Sequence, residues 1–125
     1  MECYVDASYS SKHHIGVLGF YVQGEDRTHI QTVTTSSSTS AEKLALARCI
    51  EHCSQKYPNT KLIIYIDCKG SSRVAVPNNI QLQLLPGHMK KANMDAKQLI
   101  FSKVDRLTRK ILRKTVNGEI GFVST

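Results

Sequence analysis

Hydrophobic and polar residues alternate along the first third of this 125-residue chain, as they do in half-buried β-strands. The alternation runs through residues 2–9, through Ile15–Val22 and through residues 28–35. The connections between these segments are too short for crossover helices, so we predict an antiparallel three-stranded meander. Gly16 and Gly19 interrupt the second strand and mark a bulge or a close approach of another element.

The rest of the chain predicts two helices and two more strands. Helical spacing of apolar residues covers residues 41–56, after a polar loop that ends in capping residues. Residues 61–67 form a near-continuous apolar run, which is typical of a central strand covered on both faces. Residues 80–85 predict a fifth strand, and residues 98–114 a final helix followed by a short tail with an Asn-Gly turn. The connection between the last two strands has room for one or two helical turns.

The order of these elements predicts the fold class. Three strands, a helix, two further strands and a last helix make an α/β protein with a mixed five-stranded sheet flanked by helices. We expect a single domain over residues 1–125, because this length supports one core.

The charge and the cysteine content indicate which kind of partner the protein binds and in which cellular compartment it is located. Lys and Arg outnumber Asp and Glu by 17 to 10, and the net charge of +7 indicates a polyanionic partner, with nucleic acid favoured over a merely soluble surface. No apolar run reaches the ~18 residues of a membrane span and no signal-peptide pattern opens the sequence, so we expect a cytoplasmic protein without a membrane partner. The four cysteines lack zinc spacing, and we interpret them as small, reduced, apolar residues: Cys3, Cys49, Cys53 and Cys68.

Four acidic residues lie on apolar segments, where an ionised carboxylate is costly. Asp6 closes the apolar-alternating stretch Cys3-Tyr4-Val5-Asp6 within the first strand, and Asp67 ends the apolar run of the fourth. Glu42 and Asp105 share the apolar faces of the first and last predicted helices. An ionised carboxylate beside the core, without a partner, lowers stability by several kcal/mol, at least as much as the loss of a buried hydrogen bond. Converging carboxylates in a basic chain therefore indicate a site for hard divalent cations.

Other acids and histidines fit the protein surface better. The remaining acids near chain ends, in turns or on polar helix faces are expected to be solvated. They are Glu2, Glu25, Asp26, Glu51 and Glu119. His13 and His14 lie in the first turn without partners for a zinc site, so we expect them to be exposed.

Five short motifs, in this order, resemble type 1 ribonuclease H. They are Tyr4-Val5-Asp6-Ala7-Ser8, residues 38–46 around Glu42, Ile64-Tyr65-Ile66-Asp67-Cys68, Gly87-His88, and residues 104–109 around Asp105. The resemblance covers residues 2 to about 114. It implies the ribonuclease H-like fold and an endonuclease that cuts the RNA strand of RNA–DNA hybrids. It also implies Mg²⁺ as the cofactor, with Mn²⁺ as a substitute, and products with 5′-phosphate and 3′-hydroxyl ends.

The resemblance implies site residues one at a time. Asp6, Glu42 and Asp67 match the acids of the first strand, first helix and fourth strand. Asp105 matches the acid of the last helix, and these four residues would hold the metal. His88 matches a loop histidine that assists proton transfer or product release. The nucleic-acid contacts that we expect are Ser38, Thr39, Lys43, Lys69, Lys90 and Lys91.

The sequence also departs from the pattern of this family. Ala7 replaces a usual glycine, and the connection after Asp67 has no room for the basic protrusion of some members. The long loop before Asp105 leaves Asp95 as an alternative fourth ligand, although Asp95 also suits a solvated or helix-capping position. Two other functions therefore stay open: a nucleic-acid-binding module of this fold with weak or no catalysis, and a DNA-directed nuclease.

Overall fold

The computed structural model describes residues 1–67, 75–85 and 95–124. Its elements, in chain order, are β1 (Glu2–Ser10), β2 (Ile15–Val22), β3 (His29–Thr34), α1 (Ser38–Lys56), β4 (Leu62–Ile66), β5 (Ile80–Leu84) and α2 (Ala96–Val116). Each predicted element is present. The helix α1 begins earlier than predicted because the side chain of Ser37 caps it, accepting from the amide of Ser40 at 3.0 Å.

The five strands form one mixed sheet in the order β3-β2-β1-β4-β5. The pairs β1–β2 and β2–β3 are antiparallel, whereas β4 is parallel to β1 and β5 is parallel to β4. The predicted mixed sheet is therefore confirmed. Strand β4 lies between two neighbours, which explains its apolar run: four of its five residues are buried.

The helices cover opposite faces of the sheet. Successive side chains of β1 point to opposite sides, so Cys3 and Val5 join a core with α1, including Leu46. Tyr4 faces the other way, stacks on Tyr65 at 5.1 Å between ring centroids and joins the smaller core beneath α2. Side chains of one strand therefore meet both helices.

Helix α2 approaches the sheet closely at Gly19. A Cβ atom at this position would lie 2.5 Å from Cγ2 of Thr108, so only glycine fits without a shift. The hydroxyl oxygens of Ser8 and Thr108 are 2.8 Å apart, which ties β1 to the same turn of α2. The predicted close approach at Gly19 is confirmed, and it lies opposite Asp6 in the β1–β2 register.

The residues after α2 cover the free edge of β3. The chain turns at Asn117 and Gly118, where Gly118 adopts φ 73°. The amide of Thr32 then donates to the carbonyl of Val123 at 2.7 Å. The sequence predicted the turn but not this pairing. In the described ranges, no helix has the length and apolar character needed to cross a membrane.

The connection between β4 and β5 falls partly outside the described residues. The predicted helical turns of this connection overlap residues 68–74, of which the structure says nothing. Residues 75–79 contain no helix and lead directly into β5.

Candidate metal centre and nucleic-acid interface

The sheet register brings two of the predicted acids together. Tyr4 of β1 pairs with Tyr65 of β4, and both strands run in the same direction. Continuing this register by two residues sets Asp67, the first residue after β4, beside Asp6. Adjacent strands are about 4.8 Å apart, so the two carboxyl groups share one end of the β1–β4 pair.

Glu42 completes a group of three acids from the first turns of α1. One carboxylate oxygen from each of Asp6, Glu42 and Asp67 lies within 4.8 Å of the others. Asp6 is only 2% exposed, whereas Glu42 and Asp67 are half-buried. The three residues line an open cleft of about 330 Å³, and Asp105 and Arg109 of α2 form another part of its wall.

Burial and mutual repulsion hold protons on Asp6 and Glu42 when no cation is bound. The pKa of Asp6 is raised to about 10, first by burial, then by a hydrogen bond with Asp105 and by the charges of Glu42, Asp67 and Asp105. The pKa of Glu42 is raised to about 8 by burial and by the charges of Asp67 and Asp105. Both effects disfavour the ionised carboxylates.

The donor set fits a hard divalent cation. Oδ2 of Asp6 is buried and accepts no hydrogen bond from any residue that the structure describes. An oxygen in this position costs free energy unless a proton or a cation satisfies it. Mg²⁺ takes oxygen ligands and retains bound water, and a cleft open to solvent allows both.

Asp105 and Asp95 occupy different ends of α2. Asp105 is half-buried, lines the cleft, and accepts from Nε of Arg109 at 3.2 Å. It lies outside the group of three whose oxygens converge. Asp95 caps the helix: its side chain accepts from the amide of Gln98 at 2.9 Å in a reciprocal capping box. Ten residues of helix, about 15 Å, separate the two acids, and this spacing favours the prediction that Asp105 is the fourth ligand.

Part of the predicted nucleic-acid contact surface lies at the start of α1. Ser38, Thr39 and Lys43 are exposed there, and Thr39 and Lys43 border a shallow groove of about 410 Å³. Lys43 directly follows Glu42, so this surface adjoins the cleft. The other predicted residues, Lys69, Lys90, Lys91 and the catalytic candidate His88, lie outside the described residues. His13 and His14 are exposed, as expected.

The expectation that Glu25 is a solvated surface acid is wrong. Its side chain is only 6% exposed, because the β2–β3 turn folds over the end of α1. One carboxylate oxygen is 2.7 Å from His29 Nε2, and the other lies near His52, Lys56 and Tyr57 at 2.9, 3.1 and 2.7 Å. Burial opposes ionisation, but hydrogen bonds from His52, Tyr57 and His29 outweigh it and hold the pKa of Glu25 well below its usual range.

A similar correction applies to Glu2, which we also expected to be solvated. Its side chain is 26% exposed, and it accepts from the hydroxyl of Tyr65 at 2.7 Å. No local sequence pattern indicates this contact, since the two residues are 63 positions apart.

Three cysteines cluster in the core beneath α1. Cys3, Cys49 and Cys53 are free thiols without exposed surface, as the sequence predicted for them. The sulfur atoms of Cys3 and Cys53 are 3.7 Å apart. Cys68 lies outside the described residues.

Comparison with known proteins supports the fold at low sequence identity. Neither a family model nor a curated protein matches the sequence. A solved protease–reverse transcriptase of prototype foamy virus aligns over 87% of this chain, with a TM-score of 0.66 and 14% identity. LC11-RNase H1, isolated from compost by a metagenomic approach, aligns over 92% of this chain and 96% of its own, with a TM-score of 0.64 and 14% identity.

These likenesses define the class of fold. This chain spans about a fifth of the viral protein, 20% of its length, but nearly the whole of LC11-RNase H1. The chain therefore has the ribonuclease H-like fold, as the resemblance of its motifs implied.

Proposed function

We propose that this chain is a metal-dependent endonuclease that hydrolyses the RNA strand of RNA–DNA hybrids. The observation that carries this proposal is the convergence of Asp6, Glu42 and Asp67 within 4.8 Å, with a buried Asp6 oxygen that no described residue satisfies. The ribonuclease H-like fold adds support, because LC11-RNase H1 shares it.

In this proposal, Asp6, Glu42, Asp67 and Asp105 hold Mg²⁺, which Mn²⁺ can replace. Bound Mg²⁺ ions supply the activation of water and the stabilisation of the leaving oxygen of a phosphodiester. The protein contributes rigid placement. Asp6 is fixed on β1 between two paired strands, and the Ser8–Thr108 contact holds α2, which carries Asp105, against the same strand.

Phosphate contacts would come from the basic and hydroxyl side chains around the cleft. The net charge of +7 favours a polyanion, and the start of α1 adds exposed hydroxyls and Lys43. Backbone amides in the first turn of a helix also attract phosphate. Binding should weaken steeply between about 50 and 200 mM salt, because such contacts release counterions. A flat salt response would contradict this part of the proposal.

A comparison of substrates tests the activity. The full chain is incubated with an RNA–DNA hybrid, a duplex RNA and a branched DNA, each with Mg²⁺ and with Mn²⁺. We expect cleavage of the hybrid in its RNA strand, with 5′-phosphate and 3′-hydroxyl ends. Cleavage of branched DNA alone would indicate a DNA-directed nuclease, and binding without cleavage would indicate a binding module.

We also propose that the protein is located in the cytoplasm, which is a reducing compartment. The three free thiols of the described residues support it, since such compartments keep cysteines reduced. Cell fractionation with an antibody to the chain tests it, and recovery from an oxidising compartment would contradict it.

A further inference from the structure

A second group of metal-ligating side chains lies far from the carboxylate cleft. It consists of Glu25 in the β2–β3 turn, His29 at the start of β3 and His52 near the end of α1. One ligand atom from each residue lies within 4.8 Å of the others. Glu42 and His52 are ten residues apart on α1, which separates the two groups by about 15 Å along the helix.

The geometry of this group is close to that of a three-ligand metal site. Nε2 of His29 and Nε2 of His52 lie 2.7 and 2.9 Å from the two oxygens of Glu25. Zinc binds imidazole nitrogen at about 2.0–2.1 Å and carboxylate oxygen at about 2.0–2.2 Å, so tetrahedral ligands stand roughly 3.3 Å apart. The two contacts with Glu25 would therefore lengthen by about 0.5 Å. The ligand atoms of the two histidines, which already lie within 4.8 Å of each other, would move to the same spacing around the ion.

Neighbouring side chains already hold the ligands in place. The ring of Phe20 stacks on His29 at 4.6 Å and packs against His52 at 5.4 Å. Tyr57 donates to Glu25 at 2.7 Å, which can orient one carboxylate oxygen while the other binds an ion. Preorganised ligands of this kind lose little conformational freedom on binding a metal.

The group is also accessible and chemically distinct from the nuclease cleft. The side chains of His29 and His52 are 15% and 23% exposed, and they border an open cavity of about 580 Å³. Two imidazoles and one carboxylate select borderline transition metals, whereas hard Mg²⁺ prefers oxygen ligands alone.

We propose that Glu25, His29 and His52 bind one first-row transition-metal dication, of which Zn²⁺ fits best, with a further coordination position open to solvent. The ion would fasten the β2–β3 turn to the end of α1. Lys56 opposes binding, because its ammonium group lies 3.1 Å from Glu25 and competes for the same carboxylate. Lys56 is 56% exposed, so its flexible side chain can move into water when the ion enters.

Zinc titration of the chelator-treated full chain, followed by calorimetry, tests the site. His52→Gln should lower the affinity for Zn²⁺ by at least ~10²-fold. Loss of a residue that only hydrogen-bonds to a ligand already lowers metal affinity by up to ~10²-fold, and loss of a ligand should cost at least as much. His13→Gln removes an exposed histidine of the first turn and should leave the affinity unchanged. Asp6→Asn should also leave it unchanged, because the carboxylate cleft lies elsewhere.

A gain of affinity separates this proposal from damage to the fold. Lys56→Gln removes the competing cation and should raise the affinity for Zn²⁺ several-fold, a result that misfolding cannot produce. Equal affinities in wild type, His52→Gln and Lys56→Gln would overturn the proposal.

Two measurements on the wild-type chain locate the ion without any variant. A crystal soaked in Zn²⁺ should show one anomalous peak between the Nε2 atoms of His29 and His52. Cobalt as a probe should give ligand-field bands without thiolate charge-transfer absorption. Strong charge-transfer absorption would assign the ion to Cys3, Cys49 and Cys53 and refute the site.

Discussion

Replacing Asp6 by asparagine should stabilise the metal-free protein at neutral pH while abolishing cleavage. Burial, a hydrogen bond with Asp105 and neighbouring charges raise the pKa of Asp6 in the folded chain from 3.8 to about 10. In the unfolded chain, Asp6 ionises near the ordinary value. Folding at pH 7 therefore requires Asp6 to take up a proton, and asparagine removes that requirement because it is neutral in both states.

The stability gained by Asp6→Asn depends on the difference between pH 7 and the ordinary pKa of 3.8. Each unit of pKa is worth about 1.4 kcal/mol, so protonating Asp6 at pH 7 costs at most about 4 kcal/mol. Loss of carboxyl contacts in the variant offsets part of this, and we expect a net gain of about 1–3 kcal/mol in the free energy of unfolding. An acid with a raised folded pKa destabilises the fold only above its unfolded pKa. The gain should therefore grow as pH rises from about 4 to 7 and disappear below about 4.

Urea unfolding in EDTA at about pH 4 and pH 7 measures this gain. Asp26→Asn is the matched control, since Asp26 is exposed in the β2–β3 turn and should show no comparable pH-dependent gain. Saturating Mg²⁺ should narrow or reverse the difference, because the ion stabilises the wild-type carboxylates. A variant that is less stable than wild type at pH 7 in EDTA, or a gain of equal size at both pH values, would show that folding does not force a proton onto Asp6.

Three further changes test other parts of the structure. Asp105→Asn should slow hybrid cleavage by at least ~10²-fold. Asp95→Asn keeps a capping side chain and should slow cleavage by less than ~10-fold. The reverse order of rates would make Asp95 the fourth ligand. Gly19→Ala should lower the free energy of unfolding by about 1–3 kcal/mol, because its Cβ would overlap α2. Gly121→Ala, which meets open space, should not, and equal losses in urea would contradict the close approach. Glu25→Gln should destabilise the fold at pH 7. Because the pKa of Glu25 is lower in the folded chain than its ordinary value of 4.5, the carboxylate stabilises the fold at pH values above 4.5. This stabilisation is lost as the pH falls through the pKa of the folded chain. A loss that persists unchanged in acid would show that the carboxylate charge is not responsible.

Local periodicity was sufficient to predict the elements of the sheet and to mark the acids beside its core. That these acids share one site was implied by the resemblance to type 1 ribonuclease H. Alternation placed Asp6 on a paired strand, and the apolar run before Asp67 marked a central one. Helical phase then placed Asp105 beside residues that are buried in α2, namely Phe101 at 4% and Thr108 at 0% exposure. These predictions succeed because the period of a segment reports which face is buried, and residues on one buried face share neighbours.

Contacts between distant segments could not be predicted in the same way. The local sequence predicts that Glu25 is a solvated acid in a turn. Three of its four partners lie 27, 31 and 32 residues further along the chain. The cysteine cluster likewise depends on Cys3 and Cys53, which are 50 residues apart. Such contacts arise from how the β2–β3 turn and strand β1 pack against α1, and no local pattern encodes that packing.

We propose that the converging acids Asp6, Glu42 and Asp67 form the metal centre of a nuclease that cuts RNA–DNA hybrids. The decisive measurement is the cleavage rate of an RNA–DNA hybrid with saturating Mg²⁺ for wild type, Asp67→Asn and the control Asp26→Asn. We predict that wild type and Asp26→Asn cut at similar rates and that Asp67→Asn loses at least ~10²-fold. Near-wild-type turnover by Asp67→Asn would show that these acids do not hold a catalytic metal ion.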